Sequence, residues 1–446
     1  MANMNTNGAT PAMLAAAVYP EMPAYPVESE YYPADGSSDG SFDGEAFNAA
    51  FETWRGSIRV QLDQPDGYAY GLTGFLADSI RQFLSGAGNE NRVYSPLNVY
   101  MALAMLAELT DGESRAQVLS LLGAEGVEAV REQAKALWNA NYRDDGLVSS
   151  VLASSLWLNE NVGFNQETLD VLAENYYASS YQGTMGSPEY NQMLQNWLNE
   201  QTGGLLKEQV SAIGMDARTL MALATTIYFK APWTNTFSKD ATEQDVFHAV
   251  NGDLTVDFMR KSSSRSYYWG EEFSAVSLPL ESNGAMWFLL PEEGTSPEEL
   301  LSDGEAMEFL LFHYGSGGTT DQDWRNQKYL TVHLSVPKFD VASDLDLIPG
   351  LKALGVTDVF DYAVSDFTPM TEDTDGIYVS EAKHAARVKI DEEGCEAAAY
   401  TILMMRAGGM MLPEEEIDFA LDRPCLFVVT GADGLPLFAG VVNTPV

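Results

Sequence analysis

Apolar residues recur at spacings of three and four over Tyr70–Leu84, where Leu72, Phe75, Leu76, Ile80 and Phe83 share one face. That period predicts an amphipathic helix. Helical patterning begins near Phe47 and returns at 115–138, 166–175 and 188–201. Pro96 stands at a helix start, where its missing N–H costs nothing. Further along, the pattern changes to short apolar or alternating runs at 219–230, 254–260, 274–280, 286–291, 329–336, 386–391, 425–430 and 437–442, which predict strands. Helices early and strands late predict an α+β chain with mixed sheets. No internal repeat is present, and 313–325 (HYGSGGTTDQDWR) has the composition of a loop.

One stretch fits neither period. Residues 391–424 begin with the small residues Gly394, Cys395, Ala397, Ala398 and Ala399 and continue through a strand-capable run, Tyr400 to Met405. They then break at Gly408-Gly409 and Pro413 and end in the acidic run Glu414 to Glu416. Small side chains slide into a crowded sheet because nothing bulky has to be forced between neighbouring strands. Paired glycines and a proline do not fit a regular core element. The segment reads as a loop able to become a strand.

Composition narrows the picture. The 446 residues suffice for one large domain or two to three ordinary ones, and 46% hydrophobic content supplies a sizeable core. No run of eighteen apolar residues marks a membrane span. The net charge of −41 repels nucleic acid, anionic lipid and heparin-like polymers and attracts cationic partners; it serves either solubility or partner steering. Residues 1–46 carry seven acidic and no basic residues among Pro, Ser, Gly and Ala, and read as a disordered tail before a domain at 47–446. No basic stretch precedes the apolar patch Met13–Val18, so the tail is expected to hold no signal peptide. Cys395 and Cys425 are too few for a disulfide framework; both are expected to be free thiols, Cys395 in a mobile segment and Cys425 in a buried strand.

Candidate catalytic chemistry is sparse. His248, His313, His333 and His384 have no metal-ligand spacing to another His or to Cys. Gly36-Ser37-Ser38-Asp39-Gly40 matches G-x-S-x-G, but no strand precedes it and no helix follows, so it makes no nucleophile elbow. No nucleotide-binding glycine motif follows a strand. The reading is a protein without an active site, cofactor or metal of its own.

Glu392-Glu393-Gly394-Cys395-Glu396-Ala397-Ala398-Ala399 resembles the hinge of inhibitory serpins, the serine protease inhibitors that trap their target. Further segments are similar to that family in the same order. They are Ser95-Pro96-Leu97-Asn98-Val99 with Ala102, Met105 and Leu106; Ile227-Tyr228-Phe229-Lys230 with Trp233 and Phe237; and Val336-Pro337-Lys338-Phe339. Leu351, Leu354, Gly355, Val356, Phe360 and Asp366-Phe367 follow, then Val379-Ser380 with His384-Ala385, then Pro424, Leu426, Phe427 and Phe438 to Pro445. The resemblance runs over roughly residues 70 to 446.

It implies a serpin fold: helices packed on three mixed β-sheets, with an exposed reactive-centre loop. It implies a suicide inhibitor in which a protease cuts the loop and the freed half inserts as a new strand. The hinge would be Glu393, Gly394, Cys395, Glu396, Ala397, Ala398 and Ala399. Ser95, Asn98 and His384 would form the cluster beneath the parting strands, the shutter, with Thr225 where the family usually has Asn. Trp233 would stand where insertion begins, the breach. Counting from the hinge puts the cut bond at Gly408–Gly409, and counting back from Pro424 puts it at Met410–Met411, so the bait spans Met405, Arg406, Ala407, Gly408, Gly409, Met410 and Met411. Arg406 suits a trypsin-like pocket, and Met405 or Met410 an elastase- or chymotrypsin-like one; the paired glycines favour an elastase-like target. The expected setting is extracellular or at the cell surface, for a monomer that joins its protease covalently and binds no heparin-like polymer. The alternative is a non-inhibitory serpin, a carrier or chaperone.

Overall fold

The computed structural model of the chain describes residues 11–32, 42–211, 213–312, 324–372, 377–395, 413 and 415–445. Eleven helices occur among these residues, α1 (Gly44–Leu62), α2 (Leu72–Leu84), α3 (Pro96–Leu109), α4 (Gly112–Leu122), α5 (Val127–Asn141), α6 (Gln166–Asn175), α7 (Pro188–Gln201), α8 (Lys207–Val210), α9 (Pro297–Ser302), α10 (Gly304–Phe312) and α11 (Leu347–Ala353). The predicted helix at 115–138 is two, α4 and α5. Gly123 ends α4 at φ 67°, and a Cβ there would stand 3.2 Å from the Gly71 carbonyl oxygen. Only glycine takes that conformation at that contact without strain.

The first sheet runs, edge to edge, β1 (Ala12–Ala15), β5 (Ala178–Gly183), β4 (Ser149–Asn159), β6 (Met221–Pro232), β14 (Gly394–Cys395), β13 (Lys383–Ile390) and β12 (Phe339–Asp346), with β3 (Arg143–Asp144) beside β4. The second runs β15 (Glu416–Ala420), β11 (Gln327–Pro337), β8 (Gly252–Trp269), β9 (Phe273–Pro279), β10 (Ala285–Pro291), β16 (Cys425–Thr430), β17 (Pro436–Val442) and β2 (Arg92–Tyr94), with β7 (Glu243–Ala249) beside β8. Both are mixed, since β4–β5 and β11–β15 are parallel. The described strands thus form two hydrogen-bonded sheets, not the three expected. The cause is β8, whose 18 residues pair with β7 and β11 and then, through Tyr268 and Trp269, with β9.

α3 is buried over nearly its whole circumference and packs on both β6 and β17. A helix apolar all round has to sit inside, and this one fills the space between the sheets. Every residue of β16 and β17 is buried, as their unbroken apolar sequence demands.

Part of the expected tail lies on the body. β1 extends the first sheet at β5. Tyr19 packs against Trp138, Tyr142 and Tyr177, and Tyr25 meets Trp54 edge-on while its N–H donates to the Asp145 carbonyl at 2.7 Å. Polar composition pointed to disorder, but two tyrosines with partner rings bury enough area to hold 11–32 in place. Residues 1–10 and 33–41, which include the G-x-S-x-G match, lie outside the described residues.

Candidate functional site: a strand seat between β6 and β13

β14 begins the segment whose small residues suggested a loop able to become a strand. It is antiparallel to both flanking strands, with Gly394 opposite Pro232, and Cys395 opposite Ala231 on one side and Ile390 on the other. Among the described residues no ladder joins β6 to β13 directly; only β14 connects them. Glycine is required at 394 by close approach, since a Cβ there would come within 2.4 Å of the Ala231 carbonyl oxygen. Neither cysteine is in a disulfide, and both are buried. For Cys425 that is the expected place, whereas Cys395 is held inside the sheet rather than in a mobile segment.

The turn between β13 and β14 is fastened to the stretch following β6. The Trp233 and Phe237 N–H groups donate to the carbonyls of Glu393 and Glu392, both at 2.9 Å, and Trp233 Nε1 donates to the Asp391 carbonyl at 2.8 Å. Glu392 is 5% exposed, and its Oε1 accepts from Lys338 Nζ at 2.6 Å and Thr242 Oγ1 at 2.7 Å. Burial raises its carboxyl pKa, but the bonds from Lys338 and Thr242 outweigh this and hold it below the usual value. Glu393 Oε1 accepts from Lys239 Nζ at 2.8 Å. The sequence reading named Trp233, Glu392 and Glu393 but missed Lys239 as the partner of Glu393 and Thr242 and Lys338 as the partners of Glu392. Lys338 stood in a recognised motif; nothing in the sequence aimed it at Glu392.

Ser95, Asn98 and His384 come together below the seat. Ser95 caps α3, its Oγ accepting from the Asn98 N–H at 3.3 Å, a good cap ahead of Pro96. The Ser95 N–H donates to His384 Nε2 at 3.0 Å, which makes that nitrogen the unprotonated one. Asn98 Nδ2 donates to the Thr225 carbonyl on β6 at 3.4 Å. His384 is on β13, so the cluster ties both strands to the buried helix. Burial pushes the His384 pKa down to about 4. Glu396, Ala397, Ala398 and Ala399, with the bait residues Met405 to Met411, lie outside the described residues.

A cavity of about 20 Å³ lies further along between the same two strands, bounded by Ile227, Tyr228 and Phe229 of β6 and by Ala386 and Arg387 of β13. Thr202 and Leu206 close it from the α7–α8 side and Phe438 from β17. It has room for about one water.

The family model for serpins (serine protease inhibitors) matches residues 71–445. The chain belongs to the serpin family. Members of that family are in general protease inhibitors rather than enzymes. Among curated relatives this serpin is 26% identical over 371 residues to Serpin-ZX of Arabidopsis thaliana, covering 80% of this chain and 93% of that one. It is also 26% identical over 366 residues to an uncharacterised serpin-like protein of Thermococcus kodakarensis, covering 80% and 82%. Solved structures carry the same fold. The native state of tengpin, a thermophilic serpin, superposes with a TM-score of 0.73 at 24% identity, covering 86% of this serpin and 95% of that chain. Human thyroxine-binding globulin with bound thyroxine gives 0.70 at 20% identity, covering 85% and 99%. No described helix of this serpin is long and apolar enough to cross a membrane.

Proposed function

We propose that this serpin is an irreversible suicide inhibitor of serine proteases. One observation carries the reading: the chain leading into the loop already sits as an antiparallel strand between β6 and β13, and a cavity continues along the same line. The family resemblance supplies the chemistry. The protease serine Oγ attacks a carbonyl carbon in the bait between Met405 and Met411; the C–N bond breaks, the new amino terminus takes the proton, and an ester joins the loop to the protease. The freed amino-terminal half then extends β14. Each added residue gains ladder hydrogen bonds to two neighbours and buries side chains on both faces. The cavity is too small for it, so β6 and β13 have to part. That gain is withheld in the intact chain, which is kinetically trapped, and the displaced protease fails to hydrolyse the ester.

The finer reading is an elastase-like target, from the glycines at 408 and 409, met outside or on the surface of a cell by a monomeric inhibitor without cofactor. The experiment is incubation with a panel of serine proteases, watching for complexes that survive SDS, together with melting of the chain after loop cleavage. Covalent complexes and a sharply raised Tm are expected. Cleavage without complex and with an equal or lower Tm would overturn the reading in favour of a carrier or chaperone serpin.

A further inference from the structure

The outer face of the second sheet gathers nucleophilic chemistry that the inhibitor reading does not use. β8, β11 and β15 run side by side there, and alternation sorts their side chains between two faces. Val332, Leu334 and Phe419 are buried on the inner face. Ser262, Glu416 and Asp418 are exposed on the outer one, with His333 half-buried among them. Ser262 lies opposite His333, and His333 opposite Asp418. Ser262 Oγ stands 2.8 Å from His333 Nδ1, and His333 Nε2 stands 3.3 Å from Glu416 Oε2. A carboxylate can only accept, so Nε2 carries the ring proton and donates it to Glu416. Nδ1 is then the unprotonated nitrogen and accepts from the Ser262 hydroxyl. A nucleophile, a base and the group that orients the base are thus joined in one line of hydrogen bonds. Such a set is recognised by geometry and not by order in the chain. Here its members are 71 and 83 positions apart, so no local motif announces them. Arg260, two positions from Ser262 on the same face, is already held by Glu243 and Asp245.

We propose that Ser262 is a reactive serine, activated by His333 and Glu416, and that it takes an acyl group from small activated esters that carry no negative charge. Ser262 Oγ bonds to the ester carbonyl carbon as its proton passes to His333 Nδ1. The bond from that carbon to the leaving oxygen breaks, and the oxygen departs with the proton from Nδ1. The products are an ester on Ser262 and a free alcohol or phenol. Water, deprotonated by the same nitrogen, hydrolyses the ester and restores the serine. The imidazolium formed in transit shares its row with Glu416 and Asp418, whose charges favour it. Those carboxylates, in a chain of net charge −41, repel anionic donors and so set the class. The site draws on no residue of the seat between β6 and β13, so it stands or falls apart from the inhibitor reading.

The test uses the intact full-length chain and p-nitrophenyl acetate. Release of p-nitrophenolate is followed, and acetylated residues are located by peptide mass spectrometry. Ser302 is the internal comparator, an exposed serine whose hydroxyl only donates to the Glu298 carbonyl at 3.1 Å. Ser262 is expected to be acetylated about a hundredfold faster than Ser302. His333→Ala should bring the ratio of the two to near one, and added imidazole should raise it again. Rescue by a free base reports proton transfer, because a ring with a purely structural task leaves nothing for imidazole to restore. Glu416→Gln should lower the ratio about tenfold. Where the ester is hydrolysed as fast as it forms, Ser262→Ala should abolish the steady release of p-nitrophenolate, and that result supports the site equally. Acetylation of Ser262 no faster than that of Ser302, with release unchanged in Ser262→Ala, overturns the proposal. So does a His333→Ala chain that keeps the full ratio, or one that loses it and is not rescued by imidazole.

Discussion

Replacing Gly394 by alanine tests the strand seat directly. The added Cβ would lie 2.4 Å from the Ala231 carbonyl oxygen and 2.8 Å from Pro232 Cα. Both are backbone atoms of β6, so no side chain can rotate away, and relief requires β14 to move by about 1 Å or to leave. Leaving breaks the three pairings of Gly394 with Pro232 and of Cys395 with Ala231 and with Ile390. At about 1 kcal/mol for each net hydrogen bond, the seat contributes about 3 kcal/mol. Its loss shifts the local opening equilibrium by roughly a hundredfold. Cys395 reports that opening, because it is 3% exposed when seated. Cys425 is an internal control, 1% exposed in the second sheet, with burial pushing its thiol pKa up to about 12. Titration of the native protein with a thiol reagent should find both cysteines silent in the parent chain and Cys395 alone reacting about a hundred times faster in Gly394→Ala. Unchanged labelling of Cys395 would refute the close-packed seat. Simultaneous reaction of both thiols would show that the substitution unfolds the molecule rather than unseating the strand.

Three further outcomes are expected. Glu392→Gln removes the charge from the pair with Lys338 and weakens the bond from Thr242, at a cost of about 2 kcal/mol; urea melts should show it, with Lys338→Met on the same background adding little further. His384 has a folded-state pKa of about 4 against an ordinary 6.5, so the folded protein binds fewer protons than the unfolded chain between those values. Stability from the neutral ring is complete above pH 6.5 and falls as the pH drops towards 4, by about 3 kcal/mol in total. The difference in melts between the parent and His384→Gln should narrow by that amount between pH 7.5 and pH 4, and a constant difference would contradict it. Ala398→Arg should turn the inhibitor into a substrate, because insertion of the cleaved segment would have to bring a second guanidinium into a packed sheet whose β13 already carries Arg387. Unchanged stoichiometry with a trapped protease would refute insertion of that segment.

Periodicity determined the elements whose own residues are consistent. α6 and α7 stand at the expected 166–175 and 188–201, and β16 at 425–430, because each shows a clear apolar face or an unbroken apolar run. β4 (SSVLASSLWLN) and β12 (FDVASDLD) gave no such signal; they are strands because neighbours pair with them, and that pairing is invisible in a single segment. The small residues at 394 and 395 drew notice in the sequence, and at Gly394 the structure gives the reason, since a Cβ there would meet the Ala231 carbonyl oxygen. The tertiary structure decided the rest. It joined the strands into two sheets through one long β8, and it laid Tyr19 and Tyr25 against rings far along the chain. It turned Lys338 onto Glu392 and brought Ser95 and His384, 289 positions apart, within 3.0 Å. Sequence alone showed which residues tolerate a crowded or buried place. Which of them meet depends on chain crossings hundreds of residues apart, and a local pattern carries no record of those.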